Sequence, residues 1–306
     1  MHVAVYLAAV PAKAKNKFKR DMLMAFGHGV KYAGDQVTFV DEHRTVDADL
    51  AVIQGWVGMK AGAHLALRQT VIDQQHSQGR HTMVIDSNLY GFLAPDDFNR
   101  YLRYSLDGIF PTTGYYFDNC IDTTCWPQIA ANYGFTERPW RSNGKKILIC
   151  LQRSGGWSMD GQDVLTWLKS TVLRLQRCTT LPLVIRGHPG SQAIMPEVRR
   201  QHPRIQISTE PDLRRDLNSA WATVTYNSSP GVASVLWGIP TFVTDPVPQR
   251  SQAWPVVNTD LSQIMTPTLP DRDEFYHRLA QCHWLTGDLA SGQAWRFLKD
   301  RLPIGH

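Results

Sequence analysis

Short apolar runs, each closed by a polar or glycine-bearing turn, recur along this chain and alternate with stretches of helical period. Residues 2–10 (HVAVYLAAV) read as a fully buried strand that Pro11 breaks. Residues 36–41 predict a second strand with Asp41 and Glu42 at its tip, and residues 50–54 a third. Residues 81–85 predict a fourth, whose tip carries Asp86-Ser87-Asn88. Strands apolar on both faces belong in a parallel sheet covered by helices rather than in a half-exposed antiparallel one. Helices fit between them: one through Met22, Met24 and Phe26, ended by Gly27, Gly29 and Gly34, and another over about residues 63–75. Residues 107–110 (DGIF) add a further short strand.

The periodicity lapses over residues 118–143, where Pro127, Pro139, two tryptophans and the Arg141-Ser142-Asn143-Gly144 break mark a linker. A second alternation starts at Lys145. It predicts strands at residues 147–151, 183–186, 205–207, 221–226 and 239–243, with helices at 164–175, around 196–200, around 213–217 and at 230–237. Helical segments at about residues 271–279 and 294–302 close the chain. The pattern predicts an α/β protein of two Rossmann-like domains, residues 1–140 and 141–306, facing across a cleft where both sets of strand ends converge on a ligand. No GxGxxG follows the first strand, so a dinucleotide cofactor is not supported.

Two turns in the second half have the chemistry of an anion site. In residues 221–246 (WATVTYNSSPGVASVLWGIPTFVTDP) a β-branched strand runs into Asn227-Ser228-Ser229, then Pro230 suits the first helical position and Gly238 a left-handed stop. Two hydroxyls and the amides of the turn then point at one spot that suits a phosphate oxygen. Upstream, the strand at 181–185 ends in Arg186-Gly187-His188-Pro189-Gly190, and in a parallel sheet both turns lie at the carboxyl edge.

Composition narrows the picture little. With 306 residues, 43% hydrophobic and 19% charged, the chain is long enough for two cores. Its five cysteines lack CxxC pairing, which predicts reduced thiols and no zinc site, and no metal is expected. The start lacks a basic leader and a long apolar segment, so the expectation is a cytoplasmic protein without membrane insertion. The net charge of +5 favours anionic partners. Part of it is concentrated in PAKAKNKFKR, where Lys13, Lys15, Lys17, Lys19 and Arg20 crowd a loop and a helix amino terminus. A helix start disfavours cations, so the run is either a solvated face or the binding surface of a polyanionic acceptor.

The Arg186-Gly187-His188-Pro189 turn, the Asn227-Ser228-Ser229 turn and the downstream Gly238-Ile239-Pro240, on two Rossmann-like domains, resemble the GT-B glycosyltransferases. The chain is most similar to their capsule-polysaccharide and sialyltransferase-like branch, and in architecture to phage DNA-base glucosyltransferases. The resemblance covers the carboxyl-terminal half; over the first half it is architectural. It implies that His188 lies against the phosphate or ribose of a nucleotide sugar, a co-substrate rather than a cofactor. Arg186 and Asn227, in the same two turns, are also expected to bind the donor, and Ser228 and Ser229 would bind phosphate. Arg153, in the loop after the 147–151 strand, is placed for a second charge on the diphosphate, with Ser154 and Gly155 allowing backbone approach.

An inverting, metal-independent transfer also needs a base from the first domain. Asp86 comes first because a carboxylate directly after a buried strand reaches the sheet's carboxyl edge; Asp107 is second and Asp41 third. The lysine run tips the acceptor towards a hydroxymethylated base in DNA, with a capsule-type glycan as the alternative. Behind these readings stand a nucleotide-sugar 2-epimerase, which needs no acceptor, and a non-catalytic binding module on the same fold.

Overall fold

The structure, a computed structural model, describes residues 1–57, 62–110, 114, 117, 120–153, 157–159 and 161–303. The chain divides into two compact units. One gathers Met1–Gly91, Asp96–Ile129 and Tyr276–His306; the other gathers Phe92–Pro95 and Ala130–Phe275. This corrects the division into residues 1–140 and 141–306, because the carboxyl-terminal segment returns to the first unit instead of closing the second.

In the first unit β1 (His2–Tyr6), β2 (Gln36–Val40), β3 (Leu50–Gln54) and β4 (His81–Asp86) are parallel neighbours, with α1 (Lys17–Tyr32) and α2 (Ala63–Ser77) as crossovers. Val3–Val5 and Leu50–Ile53 are fully or almost fully buried, as continuous apolar strands between two layers should be. Gly27 and Gly29 do not end α1. They lie inside it, where a Cβ on Gly29 would run into the carbonyl of Leu289, and Gly34, at φ +93°, follows its end.

The sheet then changes direction. β5 (Tyr101–Leu106) pairs antiparallel with β4. Its YLRYSL sequence is buried on both faces yet interrupted by Arg103 and Ser105, so no apolar run betrays it. Asp107, at φ +56°, stops the strand, which corrects the expectation of a strand at 107–110. The order β11-β5-β4-β3-β1-β2 is completed far along the chain.

In the second unit, after α3 (Cys125–Tyr133), the strands β6 (Lys146–Cys150), β7 (Leu183–Arg186), β8 (Gln206–Ile207), β9 (Ala220–Thr225) and β10 (Thr241–Val243) form a wholly parallel sheet in the order β10-β9-β6-β7-β8. The crossovers are α4 (Val164–Cys178), α5 (Met195–Gln201), α6 (Leu213–Leu217) and α7 (Pro230–Leu236). Asp163 caps α4 by accepting from the Thr166 amide at 2.8 Å. Trp167, Leu168, Val172 and Leu175 of α4 bury the helix against Ile147, Ile149, Val224 and Phe242. Gly238 at φ +69° terminates α7, and a Cβ there would strike the Pro139 carbonyl.

After α8 (Asp273–Ala280) the chain adds β11 (His283–Leu285), antiparallel to β5, and then α9 (Gln293–Lys299). Trp295 of α9 is fully buried edge-on to Phe26, and its indole NH donates to Asp35 at 2.7 Å. Lys299 and the chain's first amino group reach the same carboxylate. Burial alone would raise the Asp35 pKa, but these three donors together bring it down to about 2. Among the described residues no helix is long and apolar enough to cross a membrane.

Candidate functional site

At the carboxyl edge of the second sheet the ends of β6, β7, β9 and β10 carry Gln152-Arg153, Gly187-His188, Asn227-Ser228 and Thr244-Asp245. Open parallel sheets present their ligand-binding loops at this edge. His188 is half-buried, and its Nδ1 accepts from the Gly190 amide at 2.9 Å. A nitrogen that accepts carries no proton, so the ring's proton sits on Nε2, which is a donor. Burial first, and then the nearby Arg153 guanidinium, holds the His188 pKa below the ordinary histidine value. Gly190 brings the two loops close: a Cβ there would lie 3.3 Å from His188 Nδ1 and 3.6 Å from Arg153 Nε.

Ser228, directly after Asn227, has a buried hydroxyl that meets no hydrogen-bond partner among the described residues, and the same holds for Thr225 Oγ1 and Gln152 Oε1. Buried polar atoms without partners are uncommon and mark places where a ligand or water is accommodated. Ser229 is exposed at the start of α7 and makes no side-chain cap. α7 has seven residues and the Gly231 amide is spent on the Ser228 carbonyl, so the hydroxyls, more than the helix amides, carry the polar chemistry of this turn. Ser154 and Gly155 lie outside the described residues.

Two expected site residues are used inside the protein. Arg186 points its guanidinium at Asp216, 2.5 Å away and 2% exposed, and at the carbonyls of Glu210 and Pro211. Lys146 and Ser208 bind the same carboxylate. Arg186 thus neutralises a buried acid beside the sheet. Asn227 is 1% exposed, its Oδ1 accepting from Gln152 Nε2 at 2.7 Å and its Nδ2 donating to Asp245 Oδ2 at 2.7 Å and to the Ser158 carbonyl at 2.9 Å. Sequence reasoning did not pick out Gln152, Asp245 or Asp216. For the first two a signal existed, since a carboxamide and a carboxylate directly follow buried parallel strands; Asp216 sits in a short helix with no such mark.

In the first unit the three candidate carboxylates separate. Asp86 is at the carboxyl end of β4, with Oδ2 3.0 Å from Arg103 and Oδ1 accepting from the Ser87 amide at 2.7 Å. Arg68, 8% exposed, faces the same region, its guanidinium donating to the carbonyls of Ala9 and Trp56. Burial draws the Arg68 pKa down to about 10, with Asp86 opposing the shift. Asp107 is at the opposite edge. Because β5 runs antiparallel to β4, its end meets the start of β4, where Asp107 accepts from the Thr82 amide at 2.8 Å and lies 2.6 Å from His81 Nδ1. That removes it from the candidates for a base at the carboxyl edge. Asp41, at the tip of edge strand β2, is 63% exposed and ion-paired with Arg20 at 2.8 Å.

The lysine run brackets the start of α1. Lys13, Lys17 and Lys19 are exposed, and no acidic residue stands in the helix's first turn; Lys17 meets Asp21 at 3.0 Å. The side chain of Lys15 lies outside the described residues. The His64 pKa is lowered by burial first, then by the Arg68 guanidinium and, less, by Lys13 and Lys19. Positive charge is therefore gathered at the carboxyl edge of the first sheet.

Two Rossmann-like α/β units of this kind define the GT-B class of glycosyltransferase folds, and the chain has that fold. Among solved structures it is similar to Thermosulfurimonas dismutans KpsC described as a beta Kdo 2,4 transferase, with 11% identity, 91% of this chain and 90% of that chain covered, and a TM-score of 0.57. It is also similar to Thermosulfurimonas dismutans KpsC described as a beta Kdo 2,7 transferase, with 10% identity, 99% and 100% covered, and a TM-score of 0.54. No family model and no curated protein matches the chain.

Proposed function

We propose that this protein is a glycosyltransferase that takes a nucleotide sugar at the carboxyl edge of the β6–β10 sheet and transfers the sugar to a hydroxyl of an anionic acceptor. The observation that carries the reading is that Arg153, the Nε2–H of His188 and the buried hydroxyl of Ser228, which has no partner among the described residues, stand at the ends of β6, β7 and β9 on one edge of the sheet. A cation, a neutral donor and a hydroxyl suit the oxygens of a diphosphate or phosphodiester and stabilise the charge that grows on the leaving nucleotide. Arg153 and His188 would supply this stabilisation without a metal. Asp86, at the carboxyl edge of its sheet, is the proposed base of an inverting attack, with Arg103 and Ser87 orienting its carboxylate.

The cations around α1 support an acidic glycan as the acceptor. DNA is the second reading, since the same lysines suit a phosphate backbone. The test is a screen of nucleotide sugars for thermal stabilisation, since a ligand at a hundred times its dissociation constant adds about 2.7 kcal/mol. Stabilisation by one nucleotide family, followed by transfer to an acidic oligosaccharide and not to duplex DNA, is the expected result. Consumption of donor with no acceptor would identify an epimerase, and binding without turnover a binding module.

A further inference from the structure

Three of the loops that carry the donor chemistry are tied by a single buried polar chain. Gln152, which precedes Arg153, is 5% exposed; Asn227, which precedes Ser228, is 1% exposed; and Asp245, at the end of β10, is 3% exposed. Gln152 Nε2 donates to Asn227 Oδ1 at 2.7 Å and to Ser158 Oγ at 2.9 Å. Asn227 Nδ2 donates to Asp245 Oδ2 at 2.7 Å, and Asp245 Oδ1 accepts from Arg250 at 2.7 Å and from the Val247 amide at 2.8 Å.

The polarity of this chain is directional. Asn227 must accept on one atom and donate from the other, and of the two side chains of that shape, only the carboxamide does both. A hydrophobic residue of similar size would fill the same space with less desolvation, so the polar chain needs another reason to be there. What it does geometrically is hold the residue before Arg153 and the residue before Ser228 at one fixed separation, with the Asp245 loop as the third support. Groups that bind a charged ligand gain most when their own supports are locked.

We propose that Asn227 is a positioning residue that sets Arg153 and Ser228 in register for the donor's phosphates, acting through Gln152 and Asp245. The proposal rests on the donor reading above. It assigns no contact between Asn227 and the ligand.

The test is the affinity of the full-length protein for UDP and CMP, measured by calorimetry beside the melting temperature. Asn227→Asp sets two carboxylates against each other at the Asp245 contact and is expected to weaken nucleotide binding by about tenfold or more. Asn227→Asp combined with Asp245→Asn restores the donor–acceptor pair between these two residues at unchanged total charge, but not the bond to the Ser158 carbonyl, and is expected to recover about threefold or more of the lost affinity. Gln152→Leu cuts only the β6 side of the chain and is expected to weaken binding by about threefold to tenfold while the protein stays folded. It decides the matter if Asn227→Asp fails to fold. Wild-type affinity in folded Asn227→Asp or Gln152→Leu overturns the positioning role alone, as does a double variant no tighter than the single one. Absence of UDP and CMP binding by the wild-type protein overturns the donor reading, and this inference with it.

Discussion

Asp86 Oδ2 stands 3.0 Å from the guanidinium of Arg103, its register partner across β4 and β5, and the Arg103 side chain is 2% exposed. The ion pair closes the point at which the first sheet changes from parallel to antiparallel. The residue proposed as base thus also neutralises a buried cation.

Replacing Asp86 has two separable consequences. Asp86→Asn leaves Arg103 facing a neutral amide, and breaking a buried pair in this way costs about 3–5 kcal/mol; with Asp86 20% exposed, about 2–3 kcal/mol is expected in urea unfolding. Turnover of the folded variant is expected to fall about a hundred- to ten-thousandfold. Asp107→Asn, at the other edge and 45% exposed, is expected to cost less than about 1 kcal/mol and to leave turnover alone. Destabilised Asp86→Asn with undiminished turnover would reduce the residue to its structural role.

The donor loops lend themselves to a second measurement. His188→Ala and Ser228→Ala are each expected to weaken nucleotide binding by about five- to thirtyfold with little change in melting temperature, since neither side chain belongs to the core. The His188 pKa lies below 6.5, so the neutral ring that accepts from Gly190 persists at neutral pH and protonates only at more acid pH. Nε2–H donates in both states and protonation adds a charge beside the phosphates, so binding of a nucleotide sugar is expected to be level above pH 6.5 and to strengthen as pH drops below it. A binding curve centred above pH 7 would contradict the tautomer assigned here.

Salt dependence addresses the lysine run. If Lys13, Lys17 and Lys19 contact a polyanionic acceptor, their joint replacement by Gln should lower the slope of log affinity against log salt by about two to three for a DNA duplex. A short acidic glycan should show a shallower slope with the same sign. Donor affinity should not change. An unaltered slope would return the run to a solvated surface.

Acid stability depends on His283. Its ring is buried, with Nδ1 donating to the Leu279 carbonyl at 2.8 Å and Nε2 accepting from the Leu89 amide at 3.2 Å. Burial brings its pKa down to about 3, against the Leu279 bond and with help from Arg103. The unfolded chain takes up this proton near pH 6.5 and the folded one near 3, so the unfolded state binds more protons between them. Stability should rise with pH through that window, by up to about 1.4 kcal/mol per unit, and be fully present above 6.5. His283→Gln should flatten that slope; a slope equal to wild type between about pH 4 and 6 would assign it to other groups.

Much of this architecture is written locally. Strands β1, β3, β6 and β9 are buried on both faces because parallel strands between two helical layers have no solvent side, so they can be read from a few apolar or β-branched residues each. The turns at His188 and Ser228 were legible for a related reason: in a wholly parallel sheet every strand ends at the same edge, so the residues after each strand must gather there. Arg186 shows the limit of that reasoning. It sits in the same turn, yet the structure turns it to Asp216, a partner thirty positions away, because a buried acid demands a cation more strongly than a surface turn does.

What the tertiary structure alone decided depends on chain direction and on distant partners. The edge to which Asp107 belongs follows from β5 running antiparallel, and a sequence window contains no record of direction. The return of α9 follows from Trp295 and Lys299 meeting Asp35 across most of the chain's length. Gly29 looked like a helix stop because glycine ends helices, and it is instead the gap that lets the Leu289 carbonyl approach α1. Local sequence specifies which backbone states are cheap; the burial of charge and the close approach of remote segments are properties of pairs, and a pair exists only once the chain has folded.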